Sequence, residues 1–380
     1  MKITGIICEY NPLHLGHKKQ LDFVRRTNPN GGIVCLMSGN FVQRGMPAIV
    51  NKMARAEAAV NCGADLVLEL PVSYALSSAE GFAKGGVDTL APFCDNLCFG
   101  AETGDMDALM GLAKALLSQD FSAHLKAELE KGLSFPAARQ KALETMGLDA
   151  SPLALPNNIL AVEYCKAILA GGHDLSPVVI RRDGSYHDNT PDEENPSATS
   201  IRKLMDTVGD WKAYVPKEAI SSLENASVHH IRHGERAILS KLRTMTDEEF
   251  EALPYGSEGL WRKLMHSARK ETTLEAVLEA TKSKRYTRTR LDRMVLCAFL
   301  GITEETLRPP APYARVLAFN DKGREILKKA RAFGTFPNIG ETQEDSYQAL
   351  EDRCGDLYGL FSQMPEAPGA EKTHRVIYKK

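Results

Sequence analysis

Residues 2–17 of the chain, KITGIICEYNPLHLGH, decide its fold. They begin with an apolar run that continues almost unbroken to Glu9, and the run ends at the turn pair Asn11-Pro12. A continuous apolar run of this length is typical of a parallel strand that is buried on both faces. The residues after the turn open a helical pattern, so the sequence predicts a strand followed directly by a helix.

Four further apolar runs repeat this arrangement, at residues 32–39, 65–71, 96–100 and 177–182. Helical patterns lie between them, at Pro47–Cys62, Ser77–Leu90, Met106–Leu117 and Asn158–Leu169. This alternation predicts an α/β fold with a Rossmann-like, doubly wound parallel sheet. The ligand crevice of such a sheet lies at the carboxyl ends of its strands.

The second half of the chain reads as mainly helical. Its helical patterns are Ile201–Met205, Glu235–Arg243, Asp247–Ala252, Gly259–Thr272 and Arg288–Leu300, and VLAFN (316–320) is a candidate short strand. A polar stretch rich in turn residues, DGSYHDNTPDEENPSATS (183–200), precedes it. We therefore predict two domains, an α/β domain over residues 1–200 and a mainly α-helical domain over residues 201–380.

The composition is that of an ordinary globular protein, with 380 residues, 43% apolar and 25% charged. No stretch approaches the ~18 apolar residues of a membrane span, and the apolar N-terminal run is too short for a signal peptide. The eight cysteines form no CxxC pair, so we expect free thiols in the cytoplasm and assign no metal site. Residues 201–380 carry 30 Lys and Arg against 26 Asp and Glu, a mild excess that permits a polyanionic partner.

His14-Leu15-Gly16-His17 is the sharpest chemical signal, because it opens a helix directly after the first strand. A helix N-terminus offers unpaired N–H groups and a partial positive charge, which favour phosphate. Two histidines three residues apart project to nearly the same side and can donate to phosphate oxygens, while Gly16 leaves room for a flat base. A capped helix with two surface histidines is the alternative. The position after the first strand favours an ATP phosphate cradle, which would stabilise charge on the α–β bridge.

A second candidate clamp for phosphate is SATSIRK, residues 197–203, in which hydroxyl residues open a helix and basic residues follow. An ordinary Ser or Thr helix cap is the alternative. If the segment is a clamp, Ser200, the helix N–H groups and Arg202 would serve the β- and γ-phosphates.

Weaker candidates lie elsewhere. Arg181 and Arg182 end the fifth predicted strand, where crevice residues are expected, and Asn158 either caps a helix or binds a ribose or base. No acidic or cysteine ligand completes a metal set with the three nearby histidines His229, His230 and His233, so we assign these to a solvated helix face.

The densest basic run of the chain is residues 282–293, with six basic side chains and one acidic one around Tyr286. Arginines beside an aromatic ring can hold phosphates and stack on an unpaired base. A solvated helix start is the alternative, and the density of the run favours RNA.

Seven segments together resemble the bacterial tRNA(Met) cytidine acetate ligase family, a branch of the HxGH nucleotidyltransferase superfamily. They are GIICEYNPLHLGH, LMSGNFVQRGMPAIVNKMARAEAAV, GADLVLELP, LPNNILAVEY, SATSIRK, SKRYTRTRL and YARVLAFNDKGREIL, and they span residues 2 to about 330. The resemblance implies that ATP and acetate form acetyl-adenylate and pyrophosphate. The acetyl group then passes to N4 of the wobble cytidine of elongator tRNA(Met), which gives N4-acetylcytidine and releases AMP.

The resemblance also implies site residues. Carried over by position, the catalytic, phosphate-facing histidines are His14 and His17. The ATP loop is Ile7, Cys8, Glu9, Tyr10, Asn11, Pro12, Leu13, His14, Leu15, Gly16, His17, Lys18, Lys19 and Gln20, and further ATP contacts are Gly100, Asn158, Arg181, Arg182 and Ser200. The basic run supplies the tRNA-binding candidates Lys284, Arg285, Tyr286, Arg288 and Arg290.

The implied partners are ATP with Mg²⁺, acetate and tRNA(Met), without coenzyme A and without a membrane. The residues alone leave two alternatives. A small-molecule adenylyltransferase of cofactor synthesis would share the ATP cradle, but it would not explain the helical half or the basic run. A non-catalytic RNA-binding protein would not explain the intact His14, Gly16 and His17.

Overall fold

The computed structural model describes residues 1–182, 197–207, 209–283, 286–343 and 345–380. The strands in this part of the chain are β1 (Ile3–Cys8), β2 (Gly32–Ser38), β3 (Phe41–Val42), β4 (Met46–Pro47), β5 (Leu66–Leu70), β6 (Asn96–Ala101), β7 (Ser176–Arg181), β8 (Val316–Phe319) and β9 (Ile377–Tyr378). Seven of them form one sheet in the order β7-β6-β1-β2-β5-β8-β9, while β3 and β4 form a separate antiparallel hairpin.

The first five strands of this order are parallel, which confirms the predicted doubly wound α/β fold. The sheet then continues beyond β5, because β8 pairs antiparallel with β5 and β9 pairs parallel with β8. These last two strands come from the second half of the chain. The predicted boundary at residue 200 therefore does not coincide with the edge of the sheet.

Alternate residues of the central strands face two different cores. Ile7, Val34 and Leu36 belong to the core on one face of the sheet, whereas Ile6 and Cys35 belong to the core on the other. All of β1 and β2 is buried. Because both faces are covered, the strands read in sequence as continuous apolar runs.

The helices of the first half are α1 (Leu15–Thr27), α2 (Lys52–Asn61), α3 (Val72–Ala75), α4 (Ala79–Leu90), α5 (Met106–Leu116), α6 (Gln119–Glu130), α7 (Phe135–Thr145) and α8 (Pro156–Gly171). Those of the second half are α9 (Ala198–Asp206), α10 (Lys217–Glu224), α11 (Glu235–Thr244), α12 (Asp247–Glu251), α13 (Leu260–Lys270), α14 (Leu274–Thr281), α15 (Arg288–Leu300), α16 (Glu304–Leu307), α17 (Asp321–Ala330), α18 (Ser346–Tyr358) and α19 (Ala370–Thr373). Helices α11, α13, α14 and α15 pack around a third apolar core.

Two predictions from sequence differ from the structure. The helix predicted from Pro47 begins at Lys52, because the Asn51 side chain accepts from the Ala54 N–H and caps it there, and residues 41–47 form the β3–β4 hairpin. The solvated helix face predicted for the three histidines is wrong, because His229, His230 and His233 lie in the segment between α10 and α11, and His229 is buried as well. Its ring is 1% exposed and stacks on Tyr358 at 4.0 Å.

A buried cluster of charges joins the two halves of the chain. Lys52 Nζ lies 2.8 Å from Glu69 Oε1 and 2.6 Å from Glu371 Oε2. The Arg315 guanidinium contacts the carboxylates of Glu69 at 2.8 Å, Glu351 at 3.2 Å and Glu371 at 2.9 Å. Each of these side chains is less than 5% exposed, so each depends on the others for compensation of its charge.

Candidate active site at the switch point of the sheet

Strand order reverses between β1 and β6. The chain runs from β1 to β2 and β5 on one side of the sheet and then crosses to β6 and β7 on the other. Ligands of open α/β sheets bind outside the carboxyl ends of the strands at such a point. The predicted ATP loop follows β1, Gly100 lies near the end of β6, and Arg182 follows β7. The fold therefore brings predicted ATP residues from three neighbouring strands to one edge.

His14 and His17 together cap the first turn of α1. His14 Nδ1 accepts from the Gly16 N–H at 3.1 Å, and His17 Nδ1 accepts from the His14 N–H at 3.3 Å. The ring centroids are 3.7 Å apart, so the two side chains lie on the same side of the turn, as the spacing predicts. The arrangement is a capping box in which two imidazoles replace the usual Ser and Glu.

These hydrogen bonds fix the protons of both rings. A ring nitrogen that accepts a hydrogen bond carries no proton, so the proton of each neutral imidazole lies on Nε2. Burial, reinforced by the positive charges of Arg182 and Arg202, lowers the pKa of His14 from 6.5 to about 3. Burial, His14 and Arg182 hold the pKa of His17 well below its ordinary value. At pH 7 the site therefore presents two neutral rings, each with one Nε2–H donor.

Gly16 has a steric role at this position. A Cβ atom there would lie 2.9 Å from His14 Cε1 and 3.1 Å from His14 Nδ1. The His14 ring can therefore fold back over the helix start only because residue 16 has no side chain. Its predicted role toward a nucleotide base stays a prediction.

Arginines lie on the other walls of the crevice. Arg182 lies over Gly100, where an added Cβ would come within 2.8 Å of the Arg182 Cδ, and its Nη1 donates to Asn157 Oδ1 at 3.3 Å. Arg202 Nη1 donates to the Asn11 carbonyl at 2.7 Å. Arg202 thus ties α9 to the ATP loop, and both guanidiniums are close enough to His14 to lower its pKa.

The SATSIRK segment opens α9 as predicted. Ser197 is the helix cap, and its Oγ accepts from the Ser200 N–H at 3.2 Å. The Ser200 hydroxyl is buried and donates to the Ser197 carbonyl at 2.8 Å. Thr199 instead accepts from Arg202 Nη2 at 3.0 Å. The segment therefore caps its helix and carries Arg202 to the ATP loop, while the contact of Ser200 with ATP stays a prediction.

Asn158 lies inside the protein in the first turn of α8. It is 1% exposed, its Oδ1 accepts from the Thr103 N–H at 3.0 Å, and its N–H donates to Glu102 Oε2 at 2.7 Å. The sequence left open a helix cap or a ribose or base contact, but the cap position of α8 is Leu155, and Asn158 instead secures the loop after β6 against α8. Its contact with a ribose or base stays a prediction.

Several other residues of the predicted ATP loop make contacts within the protein. Tyr10 is buried with a positive φ of 45°, a conformation that non-glycine residues rarely adopt. The Asn11 Oδ1 accepts from the Ile49 N–H at 2.7 Å, and Gln20 Nε2 donates to the Cys98 carbonyl at 3.1 Å. Lys18 pairs with Asp22. These contacts hold the loop in place beneath the two histidines.

Sequence reasoning missed Arg55, which is 0% exposed beneath the site. Its guanidinium donates to the carbonyls of Glu9 at 2.7 Å, Ser38 at 3.0 Å and Gly39, and its Nε donates to the Val50 carbonyl at 3.0 Å. One side chain thus ties together the carboxyl ends of β1 and β2. An arginine in an Ala-rich helix gives no sequence signal of this, because its partners are backbone carbonyls.

The predicted tRNA-binding run lies at the start of α15. Lys284 and Arg285 fall outside the described residues. Arg288 pairs with Glu275 at 2.7 Å, Glu279 at 3.5 Å and Asp292 at 2.9 Å. Arg290 lies over the Tyr286 ring at 4.9 Å and donates to Ser257 Oγ at 2.9 Å. Nothing in these contacts tests a role toward tRNA.

Two further observations concern the described residues alone. They contain no group of three or more His, Cys, Asp or Glu side chains placed to hold a metal ion. No helix among them combines the length and apolar character needed to cross a membrane.

Known proteins place the chain in a family. A family model described as HIGH Nucleotidyl Transferase matches residues 1–372. The tRNA(Met) cytidine acetate ligase of Clostridium novyi (strain NT) is 40% identical over all of both chains. The enzyme of that name from Acetivibrio thermocellus is 36% identical over 89% of this chain and 88% of its own. The chain belongs to the tRNA(Met) cytidine acetate ligase family. The resemblance inferred from the sequence motifs is thus confirmed.

Solved structures agree with this placement. Apo TmcAL of Thermotoga maritima superposes with a TM-score of 0.91 and 30% identity, and it covers 100% of this chain and 99% of its own. A second form of TmcAL, bound with alpha-thio ATP, superposes with a TM-score of 0.88 and 29% identity over the same shares of the two chains. The family's fold therefore extends over the whole length of this chain.

Proposed function

We propose that this chain activates acetate with ATP as acetyl-adenylate and then acetylates N4 of the wobble cytidine of elongator tRNA(Met). The products are N4-acetylcytidine, AMP and pyrophosphate. The observation that carries the proposal is the pair of neutral imidazoles at the switch point, flanked by Arg182 and Arg202. The ATP analogue on the Thermotoga structure and the names of the relatives support the choice of substrates.

The site matches the needs of the first step. An acetate oxygen attacks the α-phosphorus, a new P–O bond forms, and the bond to the bridging oxygen breaks as pyrophosphate leaves. Negative charge grows on that oxygen. In our proposal the Nε2–H groups of His14 and His17 donate to phosphate oxygens there, while the guanidiniums hold the departing phosphates. The step needs no protein nucleophile, since positioning and charge stabilisation supply the catalysis.

Neutral imidazoles suit this role. With its proton fixed on Nε2, each ring offers an N–H donor before the nucleotide binds. No proton has to be taken up first. The Nδ1 atoms are held by backbone N–H groups, so the donors are oriented before ATP arrives. Preorganised donors of this kind typically contribute 10²–10³ in rate each.

In the second step the N4 amine of the cytidine attacks the acetyl carbonyl. A C–N bond forms, the bond between the acetyl carbon and the AMP oxygen breaks, and the amine loses one proton to solvent. An anticodon loop presents its wobble base unpaired, which keeps the cost of exposing N4 low. We assign Mg²⁺ to ATP itself, held mainly by phosphate oxygens and water. We place the enzyme in the cytoplasm, in keeping with eight free, buried cysteines.

One experiment tests the function. Labelled acetate should enter tRNA only when ATP is present, with one AMP and one pyrophosphate released per acetyl group. Equal labelling from acetyl-coenzyme A without ATP would contradict the proposal. A small-molecule adenylyltransferase would release pyrophosphate without labelling tRNA, and a non-catalytic RNA-binding protein would release neither product.

A further inference from the structure

Helix α13 presents a basic surface that the sequence motifs do not mark. Its apolar residues Leu260, Leu264, Met265 and Ala268 are buried in the core it shares with α11, α14 and α15. Its exposed side chains are Arg262, Lys263, His266, Arg269 and Lys270, and residues 259–270 include no acidic residue. The helix therefore shows solvent a face that is basic throughout.

The basic side chains of α13 have different neighbours from those of Arg288. Three carboxylates surround Arg288, and its hydrogen bonds to Glu275 and Asp292 raise its pKa above the ordinary value. On α13, Arg269 pairs with the Asp247 carboxylate at 2.7 Å. The Arg262 guanidinium lies over the Trp261 ring at 4.9 Å, which is a cation–π contact.

Contacts join α13 and the residues before it to the end of α14 and to Tyr286, which precedes α15. Lys263 Nζ donates to the Lys282 carbonyl at 2.8 Å. The Tyr286 hydroxyl donates to Glu258 Oε2 at 3.2 Å, two residues before the helix begins. Two pairs of arginine and aromatic ring, Arg262 with Trp261 and Arg290 with Tyr286, thus lie on adjoining elements.

We propose that the α13 surface, formed by Trp261, Arg262, Lys263, His266 and Lys270, binds the phosphate backbone of the RNA substrate, with the Trp261–Arg262 pair against an unpaired nucleotide. This inference rests on the proposed function. Basic side chains around an aromatic ring are typical of surfaces that bind unpaired RNA. An anionic membrane is the weaker match, because an interfacial helix inserts several exposed apolar side chains, and on α13 those other than Trp261 are buried.

Intrinsic fluorescence can test this surface directly. The chain has two tryptophans, Trp211 and Trp261, so a Trp211→Phe background leaves Trp261 as the single indole reporter. Titration with tRNA(Met) should change the emission of Trp261, because the bound RNA would cover its ring. An unchanged emission at saturating tRNA would contradict the placement of the nucleotide at Trp261.

A charge-reversal pair tests the phosphate contacts. Arg262→Glu with Lys270→Glu should raise the Kd for tRNA by on the order of tenfold or more at 0.1 M salt. It should also lower the log–log salt slope by about 0.7–0.9 for each lost contact. The matched control is Lys328→Glu with Lys329→Glu, which reverses two exposed charges on α17, a helix packed against the sheet instead. Thermal unfolding checks that both variants fold.

The outcomes separate this inference from the proposed function. If the unaltered chain neither binds nor acetylates tRNA, the proposed function fails. If the unaltered chain binds and acetylates tRNA but the α13 variant also binds it normally, the inference about α13 is overturned and the proposed function stands. An equal loss in the α17 control also overturns the inference, because bulk charge would then explain the effect. Weak binding by the α13 variant with normal binding by the control supports it.

Discussion

The depressed pKa of His14 makes a quantitative prediction about stability. The folded chain keeps this ring neutral down to about pH 3, whereas the unfolded chain protonates it near 6.5. As pH falls below 6.5, His14 binds a proton in the unfolded state but not in the folded state. Protonation of this group therefore lowers the free energy of unfolding. From pH 7 to pH 5 the loss is about 2 kcal/mol.

The informative variant is His14→Asn. An asparagine Oδ1 can still accept from the first-turn N–H groups, so the helix cap is kept, but the side chain does not titrate. Between pH 7 and pH 5 the free energy of unfolding should therefore fall by about 2 kcal/mol less in the variant than in the parent. The contributions of the other titrating groups cancel in this comparison. Urea unfolding at the two pH values measures the difference.

The same variant separates the cap from the catalyst. It lacks the Nε2–H donor, so acetyl-adenylate formation at pH 7 should fall about 10²–10³-fold while the fold persists. An identical loss of stability with pH in parent and variant would refute the buried, neutral state of His14. Adenylation within a few-fold of the parent would refute its role toward phosphate.

Three further predictions follow from other contacts. His17→Ala should lower the rate of pyrophosphate release by about 10²–10³-fold, together with a modest fall in melting temperature because α1 loses one of its capping side chains, and a full-rate variant would contradict the two-donor site. Arg55→Leu should cost about 3–5 kcal/mol in chemical unfolding, because four buried carbonyls lose their donor, and a cost below 1 kcal/mol would exclude that role. Glu371→Gln should destabilise the fold by about 3–5 kcal/mol, measured by urea unfolding, because Lys52 and Arg315 lose a buried counter-charge, whereas the exposed control Glu325→Gln should change little.

The parallel part of the sheet was predictable because its strands are buried on both faces. Each such strand is a continuous apolar run, and Gly or Pro marks its end. The histidine pair was predictable because a local pattern, HLGH after a strand, places it at a helix start. Both signals are confined to short windows of sequence.

The features that sequence missed depend on distant partners. Strand β8 joins the sheet by pairing with a strand some 250 residues earlier, and His229 is buried by Tyr358 from a later helix. Arg55 is recognisable only when the carbonyls of two strand ends are in place around it. The inward turn of the Ser200 hydroxyl follows from its bond to Ser197 and not from its residue type.

The buried charge cluster makes completion of the fold depend on the last residues to be synthesised. Lys52 and Glu69 leave the ribosome early, whereas Arg315, Glu351 and Glu371 follow hundreds of residues later. Until then the ammonium of Lys52 lacks its second carboxylate, Glu371, and the carboxylate of Glu69 lacks its second cation, Arg315. Withdrawing the pair from water at that stage carries a large penalty. A nascent chain interrupted before Glu371 therefore leaves Lys52 with one of its two carboxylates and Arg315 with two of its three. Chains shortened by translation errors should therefore be less stable than the full chain and more readily removed by proteases.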